Sequence, residues 1–203
     1  MGNIAKFDSI ASRYDGPERI AIATIIADTI RTHVVDGKAK SAIDYGCGTG
    51  LVGMQMLDDF HSVLFIDASS NMIEQVKQKL EQVSSETVKA LCRDLVTEDP
   101  SDLHADTIIM AQTLLHIKEV ELVLSRLYDV LNDGGHLLIV DFDKNDAIVS
   151  DEVHNGFEHA ALIDVLKRIG FRHSEAKTFY HGSKMFMNQD ASLFILDAKK
   201  ERG

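Results

Sequence analysis

The chain of 203 residues has no tryptophan, two prolines and two cysteines. Cys47 and Cys92 are too few for a secreted disulfide scaffold, so a reducing, cytoplasmic compartment is expected. Pro17 and Pro100 stand apart, and no Pro- or Gly-rich tract marks a linker. A single domain over 1–203 is therefore expected, at roughly 150 residues per domain. That length buries about 70% of the unfolded surface without a metal or disulfide staple. Basic residues are also scarce: 21 against 32 acidic ones leave a net charge of −11. Nucleic-acid binders gather Lys and Arg on one face to neutralise phosphates, so a nucleic-acid partner is disfavoured. No apolar run approaches the roughly 20 residues that span a bilayer, and a membrane partner is not expected. The N-terminus lacks the basic start and apolar stretch of a signal peptide. Met1-Gly2 opens like a myristoylation signal, but Lys6 stands where Ser or Thr is required, so no targeting is expected.

What remains is a regular alternation of short strand-like and longer helix-like apolar blocks. Ile22, Ile25, Ile26, Ile30 and Val34 fall on one stripe of an amphipathic helix over 19–35. Strands are predicted at 41–45, 62–66, 87–91, 107–110 and 136–140. Between them, Leu51, Val52, Met54, Met56 and Leu57 keep helical spacing, as do Met72, Ile73, Val76, Leu80 and Val83 behind a Ser69 or Ser70 cap. A further helical stripe runs from Val120 to Leu131, where Gly134-Gly135 should stop it, and another from Phe157 to Ile169 ends at Gly170. Two last strands, about 173–180 and 192–198, are separated by His181-Gly182-Ser183 and a turn near Asn188-Gln189-Asp190. The expected fold is α/β, a doubly wound, seven-stranded, mostly parallel sheet with a terminal antiparallel hairpin. Ligands of such sheets bind at the carboxyl ends of the strands where strand order reverses, and Asp44, Asp67, Asp94 and Ala111 fall at those ends.

Gly48-Thr49-Gly50-Leu51-Val52-Gly53 fits G-x-G-x-x-G, the dinucleotide fingerprint, after a strand and before a helical pattern. A purely structural glycine turn fits the same spacing. Asp44 argues against a pyrophosphate, which its charge would repel, and for an ammonium group nearby. Ala42-Ile43-Asp44-Tyr45-Gly46-Cys47-Gly48-Thr49-Gly50 closely resembles motif I of class I S-adenosylmethionine-dependent methyltransferases. Leu64-Phe65-Ile66-Asp67-Ala68-Ser69 is similar to their second motif. Asp94-Leu95, 105–110 with Leu114-Leu115-His116, and 131–135 resemble later segments. Near the start, Phe7-Asp8, Ala11 and Tyr14-Asp15 resemble the N-terminal helix of the ubiquinone-biosynthesis-like, type 11 subgroup.

The resemblance spans roughly residues 4–200. It implies S-adenosylmethionine held by Tyr14, Asp44, Tyr45, Gly46, Cys47, Gly48, Asp67, Ala68, Met72, Asp94, Leu95 and Ala111. Asp67 would take the ribose hydroxyls, Met72 would lie beside the adenine, and Asp94-Leu95 would recognise its amino group and ring nitrogen. Helices over 1–35 would cap the cofactor. The segments 142–156, polar and aperiodic, and 180–190 would cover the substrate.

The resemblance further implies methyl transfer to a small-molecule acceptor. With two isolated prolines, the Pro-Pro-aromatic signature of amino methylation and the Pro-Cys nucleophile of cytosine methylation are both excluded. Met110-Ala111-Gln112 stands where catechol-type relatives place a magnesium-binding acid. Nine histidines are scattered, and His154 and His159 at i, i+5 do not share a helical face as two zinc ligands would. No metal is expected. His116 and His154 are the weak candidates for a general base, which is needed only if the acceptor must lose a proton. A nicotinamide-dependent oxidoreductase using Gly48, Gly50 and Gly53 with Asp67 is one alternative, though it leaves Asp44 and Asp94 unexplained. A catalytically inactive cofactor-binding partner protein is another. Nothing in the chain determines an oligomeric state.

Overall fold

The computed structural model describes residues 4–83 and 85–201; the Met1-Gly2 start lies outside them. Five strands run parallel: β1 (Ser41–Tyr45), β2 (Ser62–Asp67), β3 (Val88–Cys92), β4 (Ala105–Ala111) and β5 (Leu131–Phe142). A hairpin of β6 (Arg172–Phe186) and β7 (Gln189–Lys199) closes the chain, with β7 antiparallel to β5. The sheet order is β3-β2-β1-β4-β5-β7-β6. Strand order reverses between β1 and β4, which opens the crevice where such folds bind ligands.

Five α-helices cover the sheet: α1 (Ile4–Ile10), α2 (Pro17–Arg31), α3 (Ser70–Leu80), α4 (Val120–Val130) and α5 (His159–Ile169). The apolar runs of the central strands bury residues toward both faces, as strands sandwiched between helices must. One core gathers Ile43, Ile108 and Leu137 of the sheet with Leu124 and Leu127 of α4 and Leu166 of α5. The other gathers Phe65, Val140 and Ile195 with Ile26 and Ile30 of α2. Pro17 occupies the first turn of α2, where its missing N–H costs nothing. Ser69 caps α3 by accepting from the Met72 N–H at 3.2 Å.

The largest departures from the sequence expectation fall at four places, each for a tertiary reason; smaller ones are α2 ending at Arg31 instead of 35 and α3 at Leu80 instead of Val83. The block after the glycine loop forms a 3₁₀ helix, Gly53–Asp59, instead of an α-helix. The Arg31 guanidinium of α2 takes the Gln55 carbonyl and binds Asp59 Oδ2 at 2.8 Å, which diverts groups that an α-helical ladder would use. The helix expected to run to Gly134-Gly135 ends at Val130. Lys200 Nζ donates to the Tyr128 and Leu131 carbonyls at 2.9 and 2.8 Å, capping the helix from the far end of the chain. The glycines lie inside β5, where a Cβ on Gly135 would meet the Asp106 carbonyl oxygen at 2.9 Å. The helix expected from Phe157 starts at His159, because the Phe157 N–H donates to the Phe142 carbonyl and its own carbonyl accepts from Lys144.

The hairpin is also longer than expected. His181-Gly182-Ser183 continues β6 to Phe186, and the turn is Met187-Asn188, both with positive φ (49° and 63°). Two such residues make the two-residue turn whose twist suits a hairpin. Asp190 Oδ1 accepts from the Ser183 hydroxyl and the Lys184 N–H, carrying the pairing across a register shift.

Candidate active site

A cavity of about 690 Å³ opens at the carboxyl ends of β1 and β4, within the usual range of ligand sites, about 300–1,000 Å³. Its floor follows directly from the glycine loop. Gly46, at φ +68°, turns the chain off β1 so that its N–H and that of Cys47 both donate to the Ile66 carbonyl on β2, at 2.7 and 3.1 Å. Gly48 then donates its N–H to Asp67 Oδ2 at 2.9 Å, while Asp67 Oδ1 accepts from the Ser69 N–H at 2.8 Å. A Cβ on Gly46 would stand 2.1 Å from Thr113 Cγ2, and Thr113 is held in turn by bonds from its hydroxyl to the Gly46 and Ala111 carbonyls. A Gly46→Ala variant is therefore expected to lose about 2–4 kcal/mol, from left-handed strain plus overpacking. Urea unfolding of the variant beside the parent protein measures this.

Gly50 and Gly53 serve the fold. A Cβ on Gly53 would stand 2.5 Å from both the Asp44 carboxylate and the Phe65 ring. Asp44, 2% exposed, accepts the Gly53 N–H at 3.1 Å. Burial pushes its carboxyl up to about 7. Burial also raises Asp67 and holds the Cys47 thiol well above its usual range, so that cysteine is no nucleophile here. Thr49 extends the loop outward: its hydroxyl donates to Asp15 at 2.5 Å, and Asp15 pairs with Lys79 of α3 at 2.7 Å.

The N-terminal segment roofs the cavity. Asp8 of α1 accepts from the Ser69 hydroxyl and the Asn71 N–H, adding negative charge at the start of α3, where the helix dipole favours it. Tyr14 lies over Gly48, and the Arg19 guanidinium sits 4.1 Å above the Tyr14 ring, a cation–π contact. Across the mouth, Lys6 pairs with Glu152 at 2.9 Å, and Phe7 meets His116 edge-on with ring centroids 5.0 Å apart. The pairings themselves carried no sequence signal, since the contacts join residues up to 146 positions apart.

His116 stands on the turn Leu114–His116 after β4. Burial, with the Lys6 ammonium nearby, lowers its imidazole to about 4, so it is neutral at physiological pH. Its Nδ1 is buried with no hydrogen-bond partner among the described residues. The turn is held from two sides. Asp141 of β5, wholly buried, accepts from the Leu115 N–H at 3.1 Å and the Phe142 N–H at 2.8 Å. His154 donates its backbone N–H to the Leu115 carbonyl at 2.9 Å, and its ring Nε2 lies 2.8 Å from the Ile117 carbonyl.

Burial pushes Asp141, like Asp44, up to about 7, against about 3.9 in an unfolded chain. Between those values the folded protein binds the extra proton, so this group's contribution to stability falls as pH rises through the window and levels off above about 7. Urea midpoints taken from pH 5 to 8 are expected to shift in favour of an Asp141→Asn variant, relative to the parent, as pH increases.

The structure brings together Tyr14, Asp44, Gly46, Cys47 and Gly48 with Asp67, Ala111 and His116 around the cavity. Tyr45, Met72 and Leu95 are at most 1% exposed and pack inside the protein, outside its lining. Ala68, Asp94 and His154 also lie outside the lining. Asp94 Oδ1 accepts the Val96 N–H at 2.9 Å, closing a local turn after β3. Gln112, noted in the sequence only as part of a segment without a metal-binding acid, lines the cavity at φ +50°, a strained conformation for a residue with a side chain. Among the described residues there is no group of three or more metal-ligating side chains, and no helix long and apolar enough to cross a membrane.

Comparison with known proteins places these features in context. Residues 43–137 match a family model described as a methyltransferase domain. An uncharacterized methyltransferase of Schizosaccharomyces pombe is 21% identical over 98% of this chain and 86% of its own. A Haloferax volcanii protein solved in complex with the Trm112 methyltransferase activator superposes with a TM-score of 0.80 at 13% identity, over 99% of this chain and 98% of its own. A phosphoethanolamine N-methyltransferase of Haemonchus contortus, solved with phosphomonomethylethanolamine and S-adenosylhomocysteine, gives 0.73 at 14% identity. This chain is covered over 92% and spans about half, 53%, of that protein.

Proposed function

We propose that this chain, whose residues 43–137 match a methyltransferase domain, is a class I S-adenosylmethionine-dependent methyltransferase that transfers the cofactor's methyl group to a small-molecule acceptor. One observation carries the proposal: a single cavity joins the Gly46–Gly48 loop and Asp67 to a half-buried, neutral His116.

The residues fit the cofactor. Gly48, at φ +54°, leaves open the space beneath Tyr14, where an added Cβ would find its nearest heavy atom 3.9 Å away. Asp67 accepts two N–H bonds and keeps further lone pairs for hydroxyl donors, since a carboxylate offers about four. The buried Asp44 carboxyl suits an ammonium group, which would stabilise its charged form. When bound, S-adenosylmethionine supplies a methyl group activated by its sulfonium. The chain's own part is to orient the acceptor, exclude water and take up any proton released, and positioning alone accounts for roughly 7–11 kcal/mol of barrier.

His116 is the residue proposed to take that proton. Its Nδ1 has no hydrogen-bond partner among the described residues, and a neutral imidazole has one nitrogen with a lone pair for the acceptor's proton. His154, whose ring lies at the Ile117 carbonyl, holds the turn that carries His116. The nicotinamide alternative meets a specific obstacle. The glycine loop runs into the 3₁₀ helix Gly53–Asp59, and not into the α-helix N-terminus on which a dinucleotide fingerprint seats its pyrophosphate. The net charge of −11 and the two free thiols accord with a small-molecule partner in a reducing, cytoplasmic compartment.

Calorimetric titration with S-adenosylmethionine, S-adenosylhomocysteine and NAD tests the reading. The two sulfur compounds are expected to bind and NAD to stay silent. Cofactor binding without S-adenosylhomocysteine formation across a broad acceptor panel would favour the inactive-partner alternative.

A further inference from the structure

The cavity has two chemically different ends. Strands lie about 4.8 Å apart, so four steps across the sheet, from β1 to β6, carry it roughly 19 Å from the glycine loop. The cofactor-side residues sit on β1, β2 and β4. The far end is built from Leu115, from Phe142 at the end of β5, from Val153, and from Tyr180, Met185 and Phe186 of the hairpin.

Most of these far-end side chains are apolar, with the Tyr180, Ser150 and Ser183 hydroxyls as neutral polar members of the same lining. Phe142 and Phe186, 4% and 5% exposed, stack with ring centroids 4.5 Å apart and planes 11° from parallel. Offset stacks of this kind make a flat, rigid apolar surface. Ile22 and Ile25 add aliphatic wall from α2. The Lys and Arg side chains that line the cavity as a whole are already engaged or lie exposed at its edge. Lys6 pairs with Glu152, Arg19 lies on the Tyr14 ring and donates to the Tyr14 carbonyl at 2.9 Å, and Lys184 is exposed on the rim. A phosphate or carboxylate drawn into the apolar end would leave its hydration shell with no buried cation to replace it among the described residues, a costly transfer.

We propose that this end is the acceptor subsite and that it takes an uncharged, apolar molecule of about ring size, packed against the Phe142–Phe186 pair, and not a phosphorylated or carboxylated one. The proposal rests on the methyltransferase reading above and narrows its acceptor. The chemistry needed at the bound molecule is one nucleophilic atom near His116, which lines the cavity beside Leu115. The Lys6–Glu152 and Phe7–His116 contacts close α1 over that atom.

The test uses 2-naphthol as a fluorescent probe, titrated into the full chain saturated with S-adenosylhomocysteine. Calorimetry first establishes that S-adenosylhomocysteine binds, and its failure to do so would overturn the methyltransferase reading itself. With the cofactor side filled, saturable one-to-one binding of 2-naphthol is expected, weakened tenfold or more in both Val153→Asp and Met185→Glu. Excess phosphoethanolamine is expected not to displace it. Retained affinity for S-adenosylhomocysteine certifies that each variant is folded, and the two variants sit on separate segments, so misfolding of one leaves the other to decide. Absence of saturable binding, indifference to both substitutions, or displacement by phosphoethanolamine would overturn the inference while leaving cofactor binding intact.

Discussion

Replacing Asp67 with Ala is expected to weaken S-adenosylmethionine binding by about 10² to 10⁴-fold. Asp67 is 8% exposed and ends β2 with both oxygens in use, one on the Gly48 N–H and one on the Ser69 N–H. Under the proposed placement its remaining lone pairs accept from the ribose hydroxyls. Each charge-assisted bond contributes about 1.5–3 kcal/mol, so losing two gives the stated range at about 1.4 kcal/mol per tenfold. The substitution also frees the Gly48 N–H, which loosens the loop beneath Tyr14, so the unfolding midpoint should fall as well. Asp67→Asn keeps the shape and loses the charge, and it should lie between the two. Calorimetric affinities for the three proteins measure the effect. Binding of Asp67→Ala within threefold of the parent would refute the ribose assignment.

His116→Ala is expected to lower turnover by about 10²-fold, the low end of the usual range for a general base because an imidazole lowered to about 4 is a weaker base than one matched to the operating pH, with cofactor affinity changed less than threefold. The separation follows from position: His116 is on the turn after β4, while the loop that would hold the cofactor hangs between β1 and β2. The pH profile gives an independent readout. Burial and the Lys6 ammonium lower the imidazole to about 4, so the acid limb of kcat/KM in the parent should lie near pH 4, well below the 6.5 of an ordinary histidine. Protonation below that limb removes the base, hence activity falls toward acid and stays level above it. Lys6→Ala removes one cause of the lowering and should move the limb upward. Unchanged turnover in His116→Ala would show that the acceptor loses its proton without this side chain.

Much of this architecture was legible in the chain because it is local. Strand patterns, the glycine cluster and the serine cap act over a few residues, and the carboxyl ends of β1, β2 and β4 follow once the alternation of elements is recognised. Boundaries failed where a distant side chain intervened. Arg31 turned an expected α-helix after the glycine loop into a 3₁₀ one, and Lys200 ended α4 four residues short of Gly134. The hairpin ran longer than its apolar pattern because its distal part pairs through polar residues, with Asp190 bridging the shift.

The sequence by itself determined the alternation of strands and helices, the glycine turn at φ > 0 and the acidic residues at the strand ends, since each depends on backbone conformation and burial within one short segment. Tertiary structure alone decided which of those residues share a cavity. It set His116 in the wall and His154 behind its turn, laid Tyr14 over Gly48, and joined Lys6 to Glu152 across the mouth. It also left Asp94 closing its own turn. The reason is physical: side chains dozens of positions apart meet only after the sheet order is established, and no local pattern encodes the burial that raises Asp44 and Asp141 or lowers His116.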